Sequence, residues 1–344
     1  MRNIEIQDII ENYLCRRSVL SYLLFPLSLI NLVLQSLRSF LFRRKNFSGG
    51  TKIISIGNIV SGGAGKTPTT VKTAQLLQKA GYEVAVSHRG YKGKFENNTT
   101  LISDRSGLFD FAPDAGDEAY MIAESLPGIP VTAGKNRTEA VKLLNEKYKL
   151  DYIILDDSFQ HLKVKHHFDV IVFNSVSGTG NGFLLPAGIL RESLRALKFA
   201  DIVLMNGEED IKLPAYSYKK FRASYELSCL HDSQGNIYIQ DEVKNKRICL
   251  LSGIGIPKSF EKSVVKAGIK FEKHFRLPDH ADFVKSGIIK KMNDLFEADK
   301  FDYLLVTEKD YAKLRFIPAI KFPYIVFKTT FNIMGEERYI REFI

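Results

Sequence analysis

Residues 18–37 form a run without a single charged side chain, with the basic clusters Arg16-Arg17 and Arg43-Arg44-Lys45 on its flanks. Twenty helical residues cover about 30 Å, the thickness of a bilayer core. On a helical wheel Ser21, Ser28, Asn31, Gln35 and Ser39 fall in one stripe, and Leu and Ile fill the wide opposite face. That stripe and Pro26 favour a helix lying in the interface over one that spans, with a buried bundle helix as the third reading. A signal peptide is not expected, because acidic residues precede the run and no small-residue cleavage site follows. Either membrane reading places the 43–45 cluster against anionic headgroups on the cytoplasmic side.

Beyond this segment the pattern changes to short apolar runs separated by helical periods. Lys52–Ile56 reads as a buried strand, residues 68–79 as a helix ended by Gly81, and Glu83–Ser87 as the next strand, which makes a βαβ unit. Asp151–Leu155 is another apolar strand, ending in Asp156-Asp157. Alternation continues to about residue 205. Residues 206–246 are polar and irregular, with hairpin-like runs such as Ile237-Tyr238-Ile239, and a second alternation begins at Arg247–Leu251. The expected fold class is α/β. It comprises a membrane-associated helical segment (1–46), a P-loop parallel-sheet domain (47–210), a linker or hairpin (211–246) and a smaller C-terminal α/β domain (247–344).

Length and composition agree with two domains. Hydrophobic residues at 45% and charged residues at 26% of 344 exclude global disorder, collagen and a polytopic membrane protein. The net charge of +10 points to an anionic partner: phosphate, an acidic membrane surface or nucleic acid. No recognition motif or aromatic–basic interleaving supports nucleic acid, and no obligate protein partner is evident. Cys15, Cys229 and Cys249 are far apart and match no zinc or disulfide framework, which suits a reducing compartment.

The turn after the first strand carries the chemistry. Gly62-Gly63-Ala64-Gly65-Lys66-Thr67-Pro68 lies between a strand and a helix, the context a phosphate-binding loop requires. Its backbone N–H groups and the helix N-terminus suit phosphate oxygens, Lys66 the β- and γ-phosphates, and the Thr67 hydroxyl Mg²⁺. One departure is plain: Val60 stands where the first glycine of the usual pattern belongs. Asp156 is the expected second metal-side group, Asp157 its neighbour beside the nucleotide, and His161 follows close to the phosphates. A guanine-reading motif fails at Thr307-Glu308-Lys309-Asp310, where Glu308 occupies the lysine position, so ATP is the expected nucleotide.

Together these blocks resemble the tetraacyldisaccharide 4′-kinase family of lipid A biosynthesis. The resemblance rests on Ser55-Ile56-Gly57-Asn58 leading into residues 62–68, His88-Arg89-Gly90-Tyr91, Gly116-Asp117-Glu118, and residues 156–161 and 180–192. It continues through Gly253-Ile254-Gly255, Leu277-Pro278-Asp279-His280 and residues 306–310. It implies transfer of the ATP γ-phosphate to the 4′-hydroxyl of a tetraacylated glucosamine disaccharide 1-phosphate, giving lipid IVA, at the cytoplasmic face of the inner membrane. It also implies a cleft between two α/β domains, with Asp117 as the catalytic aspartate and His280 as its partner. Arg89, Tyr91, Glu118, Arg137, Asn181, Arg191 and Glu192 fall in blocks implied to bind substrate, and arginines suit phosphate oxygens. His166-His167 replace an expected Arg-Asp and receive no role. The competing class is a membrane-associated P-loop ATPase that partitions or delivers cargo. Such proteins commonly carry Lys where Ser61 stands, and have no need of Gly116-Asp117-Glu118 or Asp279-His280.

Overall fold

The computed structural model describes residues 16–42, 50–278, 281–315 and 317–344, with side chains of 38–42 left aside. The 43–45 basic cluster, Cys15, the Ser39 side chain and His280 therefore lie outside the described residues. The chain forms two compact units. One holds the described residues as far as Ser224 together with Ile333–Ile344; the other runs from Tyr225 to Asn332.

In the first unit the strands are β1 (Lys52–Gly57), β2 (Val84–His88), β3 (Thr100–Asp104), β4 (Gly107–Leu108), β5 (Val131–Ala133), β6 (Tyr152–Asp156), β7 (Phe168–Asn174), β8 (Ile202–Asn206) and the start of β9 (Lys219–His231). Their order is β9-β8-β7-β1-β6-β2-β5-β3-β4. Strands β9 through β5 pair in parallel, and β3 and β4 close the edge antiparallel. Ile53, Ile54, Ile56, Ile153, Ile154 and Leu155 are buried, as expected of parallel strands covered on both faces. The βαβ unit is as predicted. Register then decides where chemistry can gather: Ile56 lies opposite Asp156 and Ser87 opposite Leu155, so β1, β6 and β2 end together. In an open parallel sheet that edge is where ligands bind.

The helices of this unit are α1 (Val19–Phe42), α2 (Lys66–Lys79), α3 (Asp117–Ser125) and α4 (Arg137–Lys147). Helix α1 has a 19-residue stretch, Val19–Leu37, long and apolar enough to cross a membrane. Its polar stripe does not face outward, as the interfacial reading assumed. Ser21 and Ser28 are buried and, with Asn31 and Gln35, hydrogen-bond to residues 181–191 or their carbonyls. The outward side chains are Val19, Leu20, Leu23, Leu27, Ile30, Val33 and Leu34, all exposed, which also sets aside the buried-bundle reading. The stripe is polar because its partners are backbone carbonyls.

The second unit carries the rest of β9, β10 (Ile237–Tyr238), β11 (Ile248–Ser252), β12 (Lys273–Arg276), β13 (Tyr303–Thr307) and β14 (Tyr324–Ile333), in the order β12-β11-β13-β14-β9 with β10 on β9. Helices α5 (Gln240–Lys244), α6 (Pro257–Lys266), α7 (Ile288–Glu297) and α8 (Glu308–Leu314) accompany it. Asp310 explains the 306–310 block structurally. Its carboxylate accepts Gly253 N–H at 3.1 Å and the Thr307 hydroxyl at 2.7 Å, and its own N–H donates back to Thr307 at the N-cap of α8. Burial raises the Asp310 pKa above the ordinary carboxylate range. Ser252, His274 and Glu261 form a chain of hydrogen bonds at 2.8 and 2.6 Å, yet Ser252 has no exposed surface. That chain ties β11, β12 and α6 together and offers no reachable nucleophile.

The last helix, α9 (Glu336–Arg341), groups with the P-loop unit, whereas the sequence reading assigned residues 247–344 throughout to the C-terminal domain. Tyr339 is fully buried there, its hydroxyl 2.9 Å from that of Thr73 and its ring edge-on to Phe221 and Phe343. Tyr339→Ala is expected to destabilise this unit by about 3–5 kcal/mol, and Tyr339→Phe by about 0.5–1.5, because the first opens a cavity and the second removes one hydrogen bond. Denaturant melts of the two variants check this; equal losses would show that packing contributes nothing beyond the bond.

Candidate active site

Strand β1 runs into the glycine loop, and the structure shows why Val60 is tolerated. Val60 is buried and bridges Leu190, while Ser61 N–H donates to Ile189 at 2.8 Å, so the position is extended backbone packed against another segment. The left-handed turns fall at Gly62 (φ 100°) and Gly65 (φ 95°), with Gly63 exposed and Ala64 buried between them. The φ of 95° at Gly65 favours glycine, and a Cβ there would lie 2.6 Å from Asn206 Nδ2 on β8, whose side chain would have to shift. Lys66, Thr67 and Pro68 form the first turn of α2, where proline is well placed.

The ends of β1 and β6 then bring four predicted residues together. Thr67 Oγ1 donates to Asp156 Oδ2 at 3.2 Å, and Lys66 Nζ stands 3.7 Å from Asp157 Oδ1. Asp156 is almost wholly buried, and its other oxygen accepts the Thr70 hydroxyl at 2.8 Å. Asp157 is partly exposed, with φ at 48°, and Arg191 Nη1 lies 3.7 Å from the same Oδ1. Arg191 also donates to Asn58 Oδ1 at 3.3 Å, and Asn58 Nδ2 is a buried donor with no protein partner among the described residues.

Strand β2 adds a residue that the sequence reading quoted but gave no role. His88 is buried at its end, and its Nδ1 accepts the Gly90 N–H at 3.0 Å. The neutral ring therefore carries its proton on Nε2, which lies 3.3 Å from Glu118 and 3.8 Å from Asp156. Glu118 and Asp117 open α3, after Gly116 at φ 92°, where a Cβ would meet the Tyr91 carbonyl at 2.8 Å. Asp117 is exposed. Gly116 thus lets the 88–93 turn and the Asp117-Glu118 turn touch.

The other predicted residues divide between buried positions that brace the fold and exposed or half-buried positions around the loop. Arg137 is buried and donates to the Asp156 carbonyl at 2.6 Å, to Ser87 and to the Gly134 carbonyl, so it braces the end of β6 from behind. Burial pulls its pKa down to about 10, opposed by the charges of Asp156 and Asp157. Asn181 is buried between the Ala187 carbonyl, Ser21 and the Arg16 carbonyl. Arg89 and Tyr91 form an exposed rim, with Arg89 paired to Glu96 at 2.9 Å and lying over the Tyr91 ring. Glu192 is half-buried, its N–H directed at the Ile59 carbonyl, and His161 is half-buried with its N–H on Ser158. His167 accepts the Ile53 N–H through Nδ1 and His166 pairs with Asp169, which accounts for both as local ties. Missed entirely were Thr70, Asn206 and the free Nδ2 of Asn58. The polar ends of the buried strands before residues 58 and 206, and the Thr-rich first turns of α2, were the available signals.

A parallel sheet with a glycine loop and Lys-Thr at the end of an inner strand, and an aspartate of the next strand paired to that threonine, defines a P-loop nucleotide-binding protein. The chain belongs to the tetraacyldisaccharide-1-phosphate 4′-kinase family: the family model described as "LpxK: Tetraacyldisaccharide-1-P 4'-kinase" matches residues 20–344. Proteins named tetraacyldisaccharide 4′-kinase from Pelobacter propionicus and Geobacter metallireducens are 31% and 33% identical to it. Those matches cover 87% and 76% of this chain and 84% and 78% of theirs. A crystal structure of LpxK from Aquifex aeolicus, described as an "apo" form in complex with ATP, is similar at a TM-score of 0.72 and 27% identity, covering 94% of this chain and 98% of that one. Membership sets aside the partitioning-ATPase reading.

Proposed function

We propose that the chain transfers the γ-phosphoryl group of ATP to the 4′-hydroxyl of a tetraacylated glucosamine disaccharide 1-phosphate, at the cytoplasmic face of the inner membrane, with Mg²⁺ as cofactor. The observation that carries this is the pairing of Thr67 with Asp156 and Lys66 with Asp157 at adjoining strand ends. The donor set fits the cation. One hydroxyl and one carboxylate leave room for waters and phosphate oxygens, as Mg²⁺ requires, and among the described residues no cluster of three His, Cys, Asp or Glu competes for a different metal. When bound, Mg²⁺ supplies charge neutralisation between the β- and γ-phosphates. Lys66 adds a point charge on the same oxygens, and the orphan Asn58 Nδ2 is a donor suited to a phosphate oxygen. Asp117 takes the hydroxyl proton as the new O–P bond forms and ADP departs. Arg89 and Tyr91 at the rim, with Glu192 and His161 nearer the loop, suit the polar headgroup and nucleotide.

The test is turnover of radiolabelled ATP with tetraacyldisaccharide 1-phosphate in detergent micelles. A labelled lipid is the expected product; ATP hydrolysis without one would return the protein to the ATPase class. Asp156→Asn is expected to raise the Mg²⁺ concentration at half-maximal rate by about tenfold or more, since even groups that only orient a ligand are worth that much. An unchanged metal titration would remove Asp156 from the metal's surroundings.

A further inference from the structure

Four polar residues sit on one face of α1 at positions 21, 28, 31 and 35, in a helix whose other face is exposed and apolar. Membrane attachment has no use for them, and in hydrocarbon each would be unfavourable. All four are engaged with a single segment. Ser28 Oγ donates to the Leu184 carbonyl at 2.7 Å and accepts the Ala187 N–H at 3.2 Å, and Asn31 Nδ2 donates to the Leu185 carbonyl at 3.0 Å. Gln35 Nε2 donates to the Arg191 carbonyl and, at 2.9 Å, to Asn31 Oδ1. Ser21 accepts from Asn181 at 3.3 Å, and Phe183 packs against Tyr22 and Phe25.

The opposite side of that segment is bound to the phosphate loop. Leu190 bridges Val60, Ser61 N–H reaches the Ile189 carbonyl, and Arg191 N–H donates to the Ile59 carbonyl at 2.7 Å. The Arg191 side chain continues to Asn58 and Asp157. Residues 189–191 are thus held between helix and loop, and Gln35 grips the same residue whose guanidinium reaches Asp157.

We propose that α1 is a positioning element of the phosphate site: its polar seam, through Gln35 and Asn31, holds residues 184–191 so that Arg191 stays against Asp157 and Asn58. The inference rests on the reading of residues 62–67 as the nucleotide site. Gln35 is a positioning residue that acts through Arg191, so the helix with the exposed apolar face also braces the segment that lies beside the phosphate loop. Loss of the seam therefore weakens nucleotide binding even where no membrane is present.

The experiment uses the full chain in detergent, with ATP affinity measured by calorimetry and membrane association by flotation with anionic vesicles. Gln35→Leu makes the helix more apolar, so flotation is expected to equal or exceed wild type, while ATP affinity falls about three- to tenfold, the scale of one polar contact between membrane helices. Arg191→Ala is expected to weaken ATP at least as much, and the double variant to be no weaker than Arg191→Ala alone, because the two act as one device. Additive losses would overturn the coupling and leave Gln35 a general stabiliser of the fold. If Gln35→Leu fails to fold, Gln35→Met, unbranched and of similar length, gives the same reading. Weakening by Arg191→Ala with no effect of either Gln35 variant would sink the positioning role alone. No ATP binding by the wild type would instead sink the nucleotide-site reading.

Discussion

A Lys66→Ala enzyme turns over about 10²–10³-fold more slowly than wild type, the usual effect of removing one preorganised charge from a site where charge develops. Lys66 lies in the first turn of α2, mostly covered, and its ammonium faces Asp157 at 3.7 Å. Arg191 reaches the same carboxylate oxygen at the same distance, but its guanidinium is also committed to Asn58. It is therefore not free to swing onto the β- and γ-phosphates when the lysine is gone. Lys66→Arg is expected to rescue poorly, since a planar fork cannot replace a compact ammonium between two phosphates. The partly exposed pair with Asp157 adds little to stability, so melting curves should barely move. A Lys66→Ala enzyme within threefold of wild type would show that residues 62–67 are not the phosphate site.

Much of that site could be read from local order. Lys66-Thr67 after the glycines, and Asp156-Asp157 at the end of an apolar strand, are each legible by themselves, and they become neighbours because β6 inserts between β1 and β2. What could not be read depends on register and on contacts between distant segments. His88 reaches Asp156 only because β2 pairs with β6 in the frame Ser87–Leu155, and nothing near residue 88 encodes that frame. Arg137 looks like any arginine at a helix start, until burial turns it toward the Asp156 carbonyl. The polar stripe of α1 was visible on a helical wheel, but its meaning was inverted. A stripe facing headgroups and a stripe facing carbonyls of residues 184–191 have the same composition, and only the partner, some 150 residues away, distinguishes them. The grouping of α9 with the first unit has the same origin, since Tyr339 finds Thr73 across 266 positions.

Asp117→Asn is expected to slow phosphoryl transfer by about 10²–10⁴ while leaving ATP affinity near that of wild type, the signature of an interaction made only as the hydroxyl attacks. Two adjacent carboxylates open α3, and their surroundings differ. Glu118 is turned toward His88, which neighbours Asp156 and so belongs to the metal side of the site. Asp117 is exposed and has no such partner among the described residues, which suits the acceptor role proposed for its carboxylate. The bland alternative is that Asp117 merely favours the helix N-terminus. The cap of α3 is Gly116, with no side-chain hydrogen bond, so Asp117 contributes there only through the helix dipole. Asparagine keeps its size and most of its polarity, and a dipole effect of that kind would appear as a small drop in melting temperature with turnover almost intact. The proton-acceptor role predicts the reverse: unchanged melting, unchanged ATP binding and a collapse of kcat. Turnover within threefold of wild type, or a loss that follows the melting temperature, would take the base role away from Asp117.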